Sequence, residues 1–180
     1  MNSEKRKPRC CYNCGARTEW RLRKGEDREV EICPECGEVM FRNSKPCVGA
    51  LIVRAGKVLL IRRDIDPFRG YWDIPGGFLE EGEHPGEGAV REALEETGLE
   101  ISTGEILGIF MDSYCGEGGG ATLNIYYLAE AAPGKAKPLA ESSDVGWFPL
   151  GEIPEKLAFP NHARRVLELL IEKDFGGDNT

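Results

Sequence analysis

Residues Gly77–Leu99 read GFLEEGEHPGEGAVREALEETGL, and the second half places Glu92, Glu95 and Glu96 at i, i+3 and i+4. On a helix of 3.6 residues per turn this spacing projects all three carboxylates from one face and turns Val90, Ala93 and Leu94 to the other. Like charges so placed repel by a few tenths of a kcal/mol per pair, which interleaved lysines would relieve on an ordinary surface helix. A divalent cation removes the repulsion as well. Oxygen ligands alone suit Mg²⁺ or Mn²⁺ rather than zinc. The competing reading is a charged amphipathic helix whose acidic face is simply solvated.

The ends of the helix are marked. Pro85 fits a first turn, where its missing N–H costs nothing, and Gly98 fits the left-handed position that closes a helix, so the helix spans about Pro85 to Thr97. Gly86 and Gly88 each weaken the first turns by about 1 kcal/mol relative to alanine, so packing must hold that end. Ahead of it, Pro75, Gly76, Gly77 and Gly82 predict a tight loop that can bring a backbone carbonyl to a metal.

Gly77, Glu83, Arg91, Glu92, Glu95, Glu96 and Gly98 obey the spacing G-x5-E-x7-R-E-U-x-E-E-x-G-U, with U apolar, and Gly70, Trp72, Pro75, Gly76 and Gly77 supply a G-x-W-x-x-P-G-G lead-in. In these positions the chain resembles the Nudix hydrolases, and the resemblance covers residues 46–180. It implies an α/β/α sandwich around a mixed sheet and Mg²⁺- or Mn²⁺-dependent hydrolysis of nucleoside diphosphates linked to another group. By position it implies Gly77, Glu92, Glu95 and Glu96 as the metal set, with Glu92 also cast as base. Arg91 would orient Glu92 and Glu83 would support the metal shell. Glu141, six residues before Trp147, is the candidate remote carboxylate, with Asp144 and Glu117 as rivals and an exposed loop acid as the bland reading.

Substrate contacts are drawn from Arg62, Arg69 and Tyr114, with Arg63, Tyr71, Phe110 and Tyr126 also weighed; solvated arginines and packed aromatics are the plain alternatives. Neither His84 nor His162 carries a metal-ligand pattern. A motif found after the box in NADH pyrophosphatases is missing, as is a proline between Pro85 and Pro133 common in ADP-ribose pyrophosphatases. The expectation is an NDP-X diphosphatase acting on a substrate such as FAD, ADP-ribose or NADH. A pyrophosphatase sanitising oxidised (8-oxo) dNTPs stands second. A non-catalytic nucleotide sensor or ribbon interaction module stands third, set against the retention of every box carboxylate.

The N-terminal segment has a different chemistry. Four of the seven cysteines form Cys11-x2-Cys14 and Cys33-x2-Cys36, each pair followed by glycine. This spacing suits a Cys₄ structural Zn²⁺ ribbon, with backbone N–H groups of each turn approaching the sulfurs. About 45 residues bury too little core to fold unaided, so the metal supplies stability. Two disulfides or a redox CxxC compete; Cys10 is a poorer ligand match, and Cys47 and Cys115 are read as thiols. The domains expected are a ribbon over 1–45 and a Nudix domain over 46–180.

The formal charge of −8 splits into +3 over residues 1–46 and −11 over 47–180, which argues against general nucleic-acid affinity. MNSEKRKPRC holds no apolar run that would serve as a signal peptide, and no stretch approaches the ~18 apolar residues of a membrane span. Cytoplasmic placement, a nucleotide-type small-molecule partner, no membrane partner and an open option of a homodimer follow. Strands are expected at Val48–Val53, Val58–Ile61, Ile106–Met111, Leu123–Ala129 and Val145–Phe148, and a second helix at Ala163–Lys173.

Overall fold

The computed structural model describes residues 9–23, 25, 27, 29–114 and 120–176, with side chains through 173. Two compact units result, Met1–Asn43 and Ser44–Thr180.

In the first unit, β1 (Glu19–Leu22), β2 (Glu29–Ile32) and β3 (Val39–Met40) form an antiparallel sheet. Its apolar core holds little beyond Cys11, Cys33 and Met40, with Ala16 packed against them. A polar knot stands in for the missing core. The fully buried Glu31 carboxylate accepts from the Thr18 hydroxyl (2.5 Å), the Arg9 backbone N–H (2.9 Å) and the Arg42 guanidinium (2.9 Å). Burial opposes its ionisation, yet these donors hold its carboxyl down at about 2.

The second unit is built on β4 (Lys45–Arg54), β5 (Lys57–Arg63), β6 (Trp72–Asp73), β7 (Gly76–Phe78), β8 (Ile101–Ser113), β9 (Ala121–Ala131) and β10 (Ser142–Pro149), with helices α1 (Pro85–Thr97) and α2 (Pro160–Gly176). The sheet order is β10-β5-β4-β9-β8, and β4 runs parallel to β9 while the other pairs are antiparallel, so the sheet is mixed. Successive side chains of the central strands enter opposite layers. Leu51, Val58 and Leu60 pack with Val166, Leu167 and Leu170 of α2, whereas Ala50, Ile52 and Leu59 pack with Ala89 and Ala93 of α1. Burial on both faces is why these strands read as continuous apolar runs rather than alternating ones.

One feature of the sheet positions the site. β4 and β5 share register only at Val53↔Val58 and Arg54↔Lys57 beside their turn, then splay. The chain between them returns into the fork, β6 pairing with β5 and β7 with β4, and Ala50 N–H donates to Pro75 O at 2.9 Å. Gly76 and Gly77 are thereby laid beneath α1. The backbone requires glycine at 76, where a Cβ would overlap the Val48 carbonyl, and at 77 a Cβ would lie 2.5 Å from Glu92 Oε1 and displace that carboxylate.

Helix α1 has the bounds read from Pro85 and Gly98, and Gly98 is left-handed at φ 68°, donating to Leu94 O. The cap is His84, whose Nδ1 accepts from Gly86 N–H at 3.1 Å. Two expectations for this helix need correction. Leu94 is 45 % exposed, because the buried stripe runs through Gly86, Ala89, Ala93 and Thr97 and leaves residue 94 outside it. Glu96, expected on the solvated acidic face, is buried under the glycine loop. All five expected strands exist but extend further, since ladder bonds continue past the apolar runs, and α2 starts three residues early with Phe159 O accepting from His162 N–H and Ala163 N–H. No described helix is long and apolar enough to cross a membrane.

Candidate active site

The forked sheet, the glycine loop and α1 enclose a cavity of about 390 Å³ whose wall includes Gly76, Gly77, Glu92, Glu95 and Glu96. Glu96 Oε2 accepts from Gly76 N–H at 2.9 Å, tying helix to loop. Behind Glu92 lies Arg91. Its Nε and Nη2 grip both oxygens of Glu83 at 2.7 and 3.0 Å, Nη1 donates to Glu92 Oε1 at 2.8 Å and more distantly to Glu95 at 3.4 Å, and Nη2 also reaches Phe78 O. Two parallel charge-assisted bonds fix the plane of a guanidinium, so Glu83 orients Arg91 and Arg91 orients Glu92. Glu83 and Arg91 do not line the cavity themselves.

The electrostatics divide these carboxylates. Hydrogen bonds from Arg91, then from Glu80 N–H, hold Glu83 down at about 2. Burial pushes Glu96 up to about 8, with the neighbouring Asp73 and Glu92 carboxylates adding to the rise against the Gly76 N–H. Burial likewise raises Glu92, opposed by Arg91. Asp73 is raised by burial too, opposed by Arg63, which pairs with it at 3.0 Å. A cavity that gathers several oxygen ligands and raises three of them above their ordinary values fits a hard divalent cation, which would oppose those shifts. Among the described residues only the cysteine group already brings three or more ligand atoms together; Glu92 and Glu96 are held on Arg91 and on Gly76.

The cavity's other wall comes from distant parts of the chain. Glu141, in the turn before β10, lines it together with Tyr114, Arg63, Asp73, Phe159 and His162. Phe159 is the hub of this wall: Tyr114 and His162 stack near it at 5.9 and 5.8 Å, and the Arg63 guanidinium lies 5.2 Å above its ring. Arg62 and Arg69 are not brought to the cavity. Arg62 donates to Gly70 O, and the exposed Arg69 pairs with Asp64. Asp144 is absent from the lining, Tyr126 is buried beside Gly49 on the cavity wall, and Glu117 and Cys115 lie outside the described residues. Phe159 and His162 were not found by sequence reasoning, and no spacing relates them to residues 77–99.

In the first unit the sulfurs of Cys11, Cys14, Cys33 and Cys36 all lie within 4.8 Å of one another, with Cys11–Cys36 at 3.7 Å and Cys14–Cys33 at 3.4 Å. A tetrahedral Zn²⁺ with bonds of about 2.3 Å asks for sulfur separations of this size. The two loops repeat one turn. Gly15 and Gly37 are left-handed at φ 78° and 76°, Gly15 N–H and Gly37 N–H return to Cys11 O and Cys33 O, and the Ala16 and Glu38 N–H groups reach the Cys14 and Cys36 sulfurs. Cys10 stands outside the cluster.

The family model described as NUDIX domain matches residues 43–170. The chain belongs to the Nudix family. An ADP-ribose pyrophosphatase of Methanocaldococcus jannaschii is 36% identical over 135 residues, 75% of this Nudix chain and 78% of that one. The NAD-capped RNA hydrolase NudC of Pseudomonas aeruginosa is 30% identical over 170 residues; these are 93% of this chain, but the match spans only 57% of NudC. A crystal structure of a Nudix hydrolase from Nitrosomonas europaea superposes with a TM-score of 0.76 at 30% identity, covering 92% of each chain.

Proposed function

We propose that this chain, a Nudix pyrophosphohydrolase, cleaves the phosphoanhydride of a nucleoside diphosphate linked to a second group, with ADP-ribose, FAD and NADH the leading candidates. The observation that carries the reading is the cavity in which Glu92, Glu95 and Glu96 of α1 meet the Gly76–Gly77 backbone and, from the far wall, Glu141. The relative named ADP-ribose pyrophosphatase supports the substrate class.

Gly77, Glu92, Glu95, Glu96 and Glu141 would hold Mg²⁺ or Mn²⁺. Such an ion neutralises phosphoryl oxygens and lowers the pKa of bound water. Arg91 keeps Glu92 Oε1 fixed and leaves Oε2 for the attacking water. Glu92, oriented by Arg91, would accept that water's proton. The water oxygen attacks phosphorus, the bridging P–O bond breaks, and a nucleoside monophosphate and a phosphorylated second product leave. The residues of the box include no Ser–His or Cys–His pair, so a side-chain nucleophile has no support. We assign a structural Zn²⁺ to Cys11, Cys14, Cys33 and Cys36 on the sulfur separations and paired turns.

The test is turnover of ADP-ribose, FAD, NADH, NDP-sugars and 8-oxo-dGTP with Mg²⁺ and with Mn²⁺, followed by a single turnover in ¹⁸O-water. Label on one product phosphate is expected. Label appearing first on the enzyme, or release of free phosphate and a dephosphorylated nucleoside as the only products, refutes the mechanism. Turnover of 8-oxo-dGTP alone moves the substrate class to nucleoside triphosphates.

A further inference from the structure

We propose that His162 is a substrate-binding residue that donates from Nε2 to a phosphate oxygen of the diphosphate, with Asp112 as its positioning residue; the proposal rests on the diphosphate reading above. His162 lines the same cavity as Glu92, Glu95 and Glu96 although it lies in the first turn of α2. Its side chain is 6 % exposed, and a histidine this buried must spend its polar atoms. Nδ1 is spent on Asp112 Oδ2 at 2.7 Å. Nε2 has no partner among the described residues, and the ring is packed against Tyr126 and Phe159.

Asp112 is itself anchored. Its Oδ1 accepts from Ser113 N–H at 2.7 Å and from Asn161 Nδ2 at 3.5 Å, so the carboxylate has one remaining oxygen for the imidazole. A carboxylate on Nδ1 orients the ring, and an anionic phosphate oxygen at Nε2 would be met by the ring with a proton on each nitrogen. The pattern beside it is the same: Arg63 is anchored on Asp73 at 3.0 Å and lies 5.2 Å over the Phe159 ring. Arg63 and His162 are the basic side chains among the described residues lining the cavity, against the carboxylates of Asp73, Glu92, Glu95, Glu96 and Glu141. A diphosphate entering such a lining needs donors for the oxygens that a cation held by the α1 carboxylates would not serve.

Phe159, in contact with both, carries φ 46°, an unfavourable left-handed conformation for an aromatic residue. Its carbonyl starts α2 by accepting from His162 N–H and Ala163 N–H. The same residue therefore sets the backbone of His162 and buttresses its ring. Strain of this kind persists where the surroundings over-determine it, and here those surroundings are the cavity wall.

The experiment is steady-state kinetics of the full chain on ADP-ribose, with thermal melting of each variant. A hydrogen bond to a charged group is worth roughly a ten- to hundredfold in affinity, so His162→Ala should raise KM by about that factor with kcat within about threefold. His162→Gln, which restores a donor amide, should recover part of the loss, and Asp112→Asn should raise KM by less than His162→Ala while kcat holds. An unchanged KM in a folded His162→Ala variant overturns the proposal, as does a fall in kcat with KM unmoved. If His162→Ala does not fold, His162→Phe, which keeps the ring packing against Tyr126 and Phe159 and removes the donor, decides by the same criterion. Absence of ADP-ribose, FAD and NADH turnover by the unsubstituted chain refutes the diphosphate reading and this proposal's substrate together, whereas normal turnover with indifferent His162 variants refutes this proposal only.

Discussion

Gly77→Ala tests whether the glycine loop exists to admit Glu92. The added Cβ would lie 2.5 Å from Glu92 Oε1, 2.7 Å from Cδ and 2.8 Å from Oε2. Ordinary contacts begin near 3.5 Å, so the carboxylate must retreat by about 1 Å. It cannot swing freely, because Arg91 Nη1 holds Oε1 at 2.8 Å and Arg91 is itself clamped by Glu83. The displaced atoms are the end of one side chain rather than backbone, and Gly77 is not in the left-handed region, so the fold should pay little. A misplacement of about 1 Å in a catalytic group costs on the order of 10²-fold, equivalent to about 2.7 kcal/mol in the barrier. Steady-state kinetics on ADP-ribose across a Mg²⁺ titration, paired with thermal melting, should show kcat reduced about a hundredfold at saturating metal and a melting temperature within a few degrees of the parent. A kcat within threefold of the parent would refute the reasoning, and a melting temperature lower by more than about 10 °C would place the clash in the fold instead.

Glu95→Gln and Glu96→Gln should each lower turnover by about 10²-fold or more, as expected for a disturbed catalytic metal shell; near-normal activity of both at subsaturating Mg²⁺ would count against the metal assignment. The same Glu96→Gln change should stabilise the metal-free protein. Glu96 is raised from 4.5 to about 8 in the fold, so its carboxyl binds a proton more tightly folded than unfolded and its contribution to stability falls as pH rises from about 4.5 to 8. Thermal unfolding in chelator should therefore show Glu96→Gln gaining on the parent with pH, and equal gains at pH 5 and pH 8 would contradict the burial argument. Metal analysis should find one zinc per chain, and its removal under reducing conditions should abolish amide protection in β1–β3 while the second unit keeps its own; protection that survives complete removal would deny the metal a structural role.

What the sequence determined was the part governed by local geometry. The spacing of Glu92, Glu95 and Glu96 acts through the 3.6-residue turn, Pro85 and Gly98 through backbone dihedrals, and the Cys-x2-Cys-Gly turns through a few adjacent residues, so each was legible from residues close in the chain. The burial of Glu96 was not legible, because it depends on β4 and β5 splaying to admit residues 72–78 beneath α1. Arg62 and Arg63 are neighbours in one strand, and successive side chains point to opposite faces, so only the pairing of β5 with β6 and β10 decides that Arg63 meets Asp73 in the cavity while Arg62 turns to Gly70. Asp112 and His162 are 50 residues apart and meet only because α2 packs across β8. Contacts of that separation are fixed by sheet order and layer packing, which involve the whole chain at once, and no short window of sequence carries them.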